Sequence, residues 1–235
     1  MKEYDLYLFD FDNTLYDTRF GIQEILRHAL PIVGVEYRDD MFPQFSGLSM
    51  EQVFDRFVGD PEKYETYRDE FMRIVNTDVY RNARPFPEVP EVLKTLKQRG
   101  KHIGIASGKT RYKIVNLLDD YNLGDIPEVI VGYEDTKLHK PYPDPILLAM
   151  SHFDISPEDT LYVGDSANDS EGAKNAGIDC VIINRHNGLT PDGLECTYEL
   201  GDMTGILDYR SQSDDFNRWI TIYYQLLTSI IRLHT

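Results

Sequence analysis

Five short apolar runs constrain this chain more than anything else in it: LYLFD at residues 6–10, HIGIAS at 102–107, PEVIVG at 127–132, DTLYVGD at 159–165 and IDCVIIN at 178–184. Each is short for a helix and too continuously apolar for a strand with one face in water, so each predicts a strand buried on both faces. The last four are separated by stretches of helical character, PEVPEVLKTLKQRG closing on Gly100 ahead of them and TRYKIVNLLDDYN, DPILLAMSHF and NDSEGAKNAG between them. Strands alternating with helices of this length require right-handed crossovers and give a parallel sheet with helices on both faces. The first run shares the character of the others and belongs in the same sheet. Residues 16–83 stand between, without a strong strand signal, and read as helices (GIQEILRHALPIV, SMEQVFDRFV, EKYETYRDEFMRIVNTDVY) punctuated by Pro31, Gly34, Gly47, Gly59 and Pro61. That block is expected to be an insertion.

A chain of 235 residues with 41% hydrophobic and 27% charged residues has enough apolar material for a full core. Its net charge of -16 argues against sequence-independent binding to nucleic acid or to an anionic membrane, and a phosphate-bearing small molecule would need a local cation to offset that field. Cys180 and Cys196 have neither metal-ligand nor redox spacing and read as core thiols of a reducing compartment. The N-terminus runs directly into the first strand with no leader-like segment, so the cytoplasm is the expected location.

In an open parallel sheet, ligands collect at the carboxyl ends of the strands. Those ends read DFDNT after the first strand, SGKT after the second, HKPYPDP after the third and GDSANDS after the fourth. One such cluster is what any turn or helix start uses. Four at four strand ends exceed what packing requires. DFDNTL departs from a calcium loop at Thr14 and Leu15, and SGKT lacks the upstream glycine of a phosphate-binding P-loop. The six histidines have no zinc-ligand spacing, and no G-x-S-x-G elbow occurs.

What remains is a set of carboxylates, Asp10 and Asp12 from one strand end and Asp165 and Asp169 from another. Asp10 and Asp12 project to the same side of their strand and repel, so a cation between them or a bound proton is expected. Oxygen ligands without histidine or thiolate suit Mg²⁺. Lys140, the Ser107 hydroxyl and the backbone N–H groups opening the helix after Ser107 would form the other side of an anion site.

DFDNT, Ser107, Lys140 and GDSANDS resemble, in order, the four motifs of the haloacid dehalogenase superfamily, a likeness that spans about residues 4–210. GLSMEQVF, KPYPDPILLAM and LYVGDSANDSEGAKNAGID are similar to its phosphoglycolate phosphatase and pyrophosphatase branch. The resemblance implies an α/β fold, a Rossmann-like parallel sheet core from residues 1–15 and 84–210 with an inserted helical cap domain at 16–83. It also implies a Mg²⁺-dependent phosphatase acting on a small phosphorylated metabolite. Asp10 would attack phosphorus to form an aspartyl-phosphate, and Asp12 would protonate the leaving alcohol and then activate water. Thr14 would orient Asp12, and Ser107, Gly108 and Lys140 would hold the phosphoryl oxygens. Mg²⁺ would bind the Asp10 side chain, the Asp12 carbonyl and Asp165, with Asp169 a direct or water-mediated ligand. Gly47 and Leu48 would bring the cap to the substrate. A pyrophosphatase or 5′-nucleotidase differs only in its cap. A phosphomutase carries a basic residue soon after the cap glycine, where this chain has Leu48, Ser49 and Met50. A catalytically inactive phosphate-binding module is the alternative of a different class.

The likeness ends near residue 210. Beyond it, Phe216, Trp219, Ile220, Tyr223, Leu226, Leu227, Ile230 and Ile231 fall at spacings of three and four, predicting an amphipathic C-terminal helix over 211–235. Its apolar face packs on the core or, through residues 213–234, forms a homodimer contact.

Overall fold

The computed structural model describes residues 1–185, 190 and 193–208. The expected C-terminal helix and its dimer contact lie outside the described residues. In chain order, β1 (Leu6–Phe9) and β2 (Tyr16–Asp17) lead into α1 (Arg19–Ala29), α2 (Met50–Phe57) and α3 (Tyr64–Val75). The chain returns through β3 (Arg84–Pro85) and continues as α4 (Val89–Gln98), β4 (His102–Ala106), α5 (Arg111–Asp119), β5 (Val129–Val131) and α6 (Asp144–Met150). Then follow β6 (Thr160–Gly164), α7 (Ala167–Ala176), β7 (Asp179–Ile183) and β8 (Tyr198–Leu200).

Among the described residues the main sheet has six strands in the order β5-β4-β1-β6-β7-β8, with every neighbouring pair parallel. The five apolar runs supply its four inner strands and the edge strand β5. The sixth, β8, is a three-residue edge strand with Glu199 at its centre, and too short and polar to announce itself in the sequence. β1 shows why an unbroken apolar run is required. Tyr7 and Phe9 pack with Leu93, Leu96, Ile114 and Leu117 on one face of the sheet, while Leu6 and Leu8 join Ile146, Ala149 and Ala173 on the other. All four β1 side chains are fully buried. Cys180 is buried in β7 and Cys196 is partly buried, and neither is in a disulfide. No helix among the described residues is long and apolar enough to cross a membrane.

The inserted helices have a core of their own, built on Leu26, Leu30, Phe42, Phe45, Val53, Phe54 and Tyr67. The single long helix expected over EKYETYRDEFMRIVNTDVY is broken. A 3₁₀ turn at Pro61–Lys63 precedes α3, and a second at Asp78–Asn82 follows it. Thr77 makes the second break, its hydroxyl donating to the Ile74 carbonyl at 2.7 Å while accepting from the Val79 amide at the start of the next turn. A further 3₁₀ stretch at Asp39–Gln44, unexpected from the sequence, carries Phe42 into this core. β2 and β3 pair antiparallel, Tyr16 opposite Pro85 and Asp17 opposite Arg84, so the insertion leaves and rejoins the sheet layer at adjacent points.

β1 lies where the strand order reverses, with β4 and β5 to one side and β6, β7 and β8 to the other. The crevice beyond its carboxyl end is therefore where a ligand is expected.

Candidate active site

Asp10 follows β1 directly, its amide donating to Val163 of β6 at 2.9 Å, which pins it at the switch point. Its carboxylate is buried, as are those of Asp165 and Asp169, and the three offer oxygens within 4.8 Å of one another. Lys140 holds this cluster together. Its Nζ donates to Asp10 Oδ1 at 2.7 Å, to Asp169 Oδ1 at 2.6 Å and to the Tyr162 hydroxyl at 2.7 Å, which uses all three of its N–H bonds. Tyr162 in turn donates to the Ala106 carbonyl at 2.7 Å, fixing the lysine to the floor of the sheet.

Asp169 is doubly committed. Its Oδ2 accepts from the Asp165 amide at 3.1 Å, the Ser166 amide at 3.0 Å and the Ser166 hydroxyl at 2.6 Å, while Ser166 caps α7 by accepting from the Asp169 amide. This reciprocal box is the ordinary way a helix start satisfies its exposed donors. It requires Gly164, because a Cβ there would lie 2.4 Å from the Asp169 Cβ. Both Asp169 oxygens thus have protein partners. Asp10 and Asp165 differ: among the described residues each bonds only through Oδ1, leaving Oδ2 available to a cation.

Thr14 orients Asp165 rather than Asp12, its hydroxyl donating to Asp165 Oδ1 at 3.1 Å. Asp12 lies outside the buried trio, and its Oδ1 accepts from Lys109 Nζ at 2.6 Å. The repulsion that the sequence poses between Asp10 and Asp12 is therefore met by two separate lysines, one on each carboxylate. Ser107 is buried and its hydroxyl accepts from the Lys109 amide at 3.3 Å. Nothing lies within 4 Å of where a Gly108 Cβ would be, so the loop opens upward there. The helix start behind Ser107 is less available than expected. α5 begins at Arg111, four residues on, and its amide is taken by the Glu134 carboxylate at 3.1 Å.

Gly47 reaches the turn between β6 and α7 from the insertion. It has φ of +74°, and a Cβ on it would lie 2.6 Å from Ser166 Cβ. Leu48 instead packs, partly buried, on the insertion's own core.

With three carboxylates against one lysine, the cluster carries two negative charges in excess when all are ionised. Burial pushes Asp10 up to about 6, Lys140 opposing the rise and Asp169 and Asp12 adding to it. Burial also raises Asp165 well above the usual carboxylate range, reinforced by Asp169 and Asp10. For Asp169, burial alone would do the same, but Lys140 and the Ser166 and Asp165 donors outweigh it and hold it below its ordinary value. Lys140, though buried, is held well above the usual lysine range by Asp10 and Asp169. A lone lysine against three buried carboxylates with two open oxygens is a donor set suited to a hard divalent cation.

Two residues of this arrangement carry signals that the motifs alone do not exploit. Lys109 is the lysine of SGKT, significant as a cation three residues beyond a strand end even where no P-loop exists. Tyr162 is the one polar-tipped side chain in the otherwise apolar run LYVG of β6.

Comparison with known proteins agrees with this geometry. The family model for haloacid dehalogenase-like hydrolases matches residues 7–183. A phosphoglycolate phosphatase from Aquifex aeolicus is 32% identical over 174 residues, which is 72% of this chain and 80% of that protein. Pyrophosphatase PpaX from Bacillus mycoides is 31% identical over 178 residues, 75% of this chain and 81% of its own. The solved haloacid dehalogenase-like hydrolase from Bacteroides fragilis superposes with a TM-score of 0.78 at 31% identity, covering 87% of this chain and 100% of that one. The chain belongs to the haloacid dehalogenase-like hydrolase family. It is an enzyme of that hydrolase class, with the helical insertion in the place of the family's cap.

Proposed function

We propose that the chain is a Mg²⁺-dependent phosphatase that hydrolyses a small phosphomonoester through an aspartyl-phosphate. The observation that carries this reading is Asp10: a buried carboxylate at the sheet's switch point, held through one oxygen by Lys140 and open at the other beside Asp165. Asp10 Oδ1 stays on Lys140, which orients the carboxylate for in-line attack and offsets charge gathering on the phosphoryl group. Asp12, partly exposed and held by Lys109, delivers a proton to the departing alkoxide and takes one back from the water that resolves the intermediate. Asp10, Asp165 and the Asp12 carbonyl would hold Mg²⁺, which shields the phosphoryl oxygens from the carboxylates; Asp169 steadies this set through Lys140 and the Ser166 turn. The names of the relatives, phosphoglycolate phosphatase and pyrophosphatase, support a small anionic substrate and keep inorganic pyrophosphate as the second reading.

A phosphate-release screen over small phosphomonoesters, nucleotides and pyrophosphate, with and without Mg²⁺, tests the reading. Turnover of a small monoester that stops in EDTA is expected. Release that is indifferent to EDTA, or none from any compound, overturns it.

Metal and pH should be linked. Asp10 has a folded-state pKa of about 6 against an ordinary 3.8, so its contribution favours the metal-free fold at low pH and is lost as pH rises through 6. Mg²⁺ requires the ionised form and competes with that proton. At 100 times its dissociation constant a ligand adds about 2.7 kcal/mol, or roughly 5–10 °C in a protein of this size. The gain in melting temperature on adding Mg²⁺ should be near that at pH 7.5 and shrink toward pH 5. An equal gain at both pH values would show that Mg²⁺ binds elsewhere.

Gly47→Val should disturb substrate choice. Its left-handed backbone costs a branched side chain about 1–3 kcal/mol, and the new methyls would displace the loop from Ser166. Relative kcat/KM values across the panel should reorder by about tenfold or more, while hydrolysis of a small generic ester changes less. An unchanged ranking would mean that this loop plays no part in substrate choice.

A further inference from the structure

Asn168 stands between Asp165 and Asp169 in the first turn of α7, yet its amide bonds to the insertion. Its Nδ2 donates to the Gly47 carbonyl at 2.8 Å and to Gln52 Oε1 at 2.9 Å, and its Oδ1 accepts from Gln52 Nε2 at 3.1 Å. Reversing one amide alone would set donor against donor, and reversing both would turn Asn168 Oδ1 onto the Gly47 carbonyl and Gln52 Nε2 onto the Ser49 amide, so these two backbone partners fix both orientations. Gln52 Oε1 also accepts from the Ser49 amide at 2.8 Å, closing the capping box that starts α2. The core residue therefore joins the hydrogen bonds that define the insertion's own helix start, at the one loop where Gly47 meets Ser166.

We propose that Asn168 is a positioning residue, the core half of a latch that registers closure of the cap over the carboxylate cluster through Gln52 and Gly47. This rests on the phosphatase reading. Water replaces these bonds when the cap opens, so each shifts the open–closed balance by only about two- to tenfold. A latch of that strength biases the cap toward closure without preventing the opening that each turnover needs.

The test is a double-mutant cycle of Asn168→Ala and Gln52→Ala in the full chain, with Gln52→Glu as a variant that keeps the acceptor for the Ser49 amide. Asn168→Ala should lower kcat/KM for the best substrate of the panel about tenfold and Gln52→Ala by no more than that, since the Asn168–Gly47 bond survives it. The double variant should lose no more than Asn168→Ala, which already breaks every bond of the latch. The Mg²⁺ concentration for half-maximal activity should stay within about twofold of wild type. Losses that multiply to about a hundredfold, or a Mg²⁺ requirement that rises in step with the loss, would overturn the latch, the second by showing that Asn168 supports the metal loop. Amide hydrogen exchange needs no substrate and separates the latch from the phosphatase reading. Exchange across Gly47–Gln52 should quicken about tenfold in Asn168→Ala, and unchanged exchange there would overturn the latch even in a fully active enzyme.

Discussion

Asp10→Asn should abolish phosphate release, by at least about 10⁴-fold, the upper end of what losing a general acid or base costs, and leave the metal-free protein no less stable. The amide keeps the shape and can still accept from Lys140, but it has no carboxylate to attack phosphorus. Stability should hold because the wild-type group is a buried carboxylate whose ionisation burial, Asp169 and Asp12 all oppose. A neutral isostere removes that opposition at the cost of a weaker bond to the lysine. Thermal unfolding in EDTA, beside a single-turnover assay on protein checked by mass for deamidation, decides the matter. Retained turnover would remove Asp10 as nucleophile. Asp12→Asn provides the contrast: it removes the acid of the first step and the base of the second, so it should give either no turnover or a trapped phosphoenzyme about 80 Da heavier after exposure to substrate.

Lys140→Met should produce the largest loss of stability. Removing one member of a buried ion pair leaves an uncompensated charge, worth about 3–5 kcal/mol, and here one lysine serves both Asp10 and Asp169. In a chain of this length that is a fall of roughly 6–20 °C in melting temperature. The fall should be smaller at pH 5 than at pH 7.5, because Asp10 can then take up a proton. Combining Lys140→Met with Asp169→Asn should recover part of it. A single variant melting within a few degrees of wild type would mean that water reaches the cluster freely. Turnover should drop by two orders of magnitude or more even where the protein remains folded.

The fold was legible because its inner strands are buried on both faces, and an unbroken apolar run such as LYLF has few other uses. The edge strand at Tyr198–Leu200 and the ribbon of Tyr16–Asp17 with Arg84–Pro85 were not legible, since two or three residues carry no periodicity. For the site, strand-end position was enough to single out Asp10, Asp165, Asp169 and Lys140, which the fold brings together. The sequence did not show which donor each carboxylate takes. Thr14 is four residues from Asp10 and two from Asp12, yet it bonds Asp165, 151 residues away, because the turn after β1 aims it across to the end of β6. Lys109 does not stand out in the sequence because a lysine in a strand-end loop is ordinarily a solvated surface charge, and only the fold carries it to Asp12. Asp169 carries two meanings at once, a helix-capping acid and the partner of Lys140, and only three dimensions separate them.

The ribbon of β2 and β3 has a consequence for what this scaffold can become. Its two strands stand about 5 Å apart, so the sheet layer meets the insertion as a single gap of one strand spacing. A piece of any length whose ends are that close can fill the gap at little entropic cost, since closure depends only weakly on loop length. A short turn joining Asp17 to Arg84 should therefore leave a folded sheet with the carboxylate cluster open to solvent. Such a stripped variant would be a receptor for foreign insertions, in which new substrate preferences are tried without touching the residues that do the chemistry.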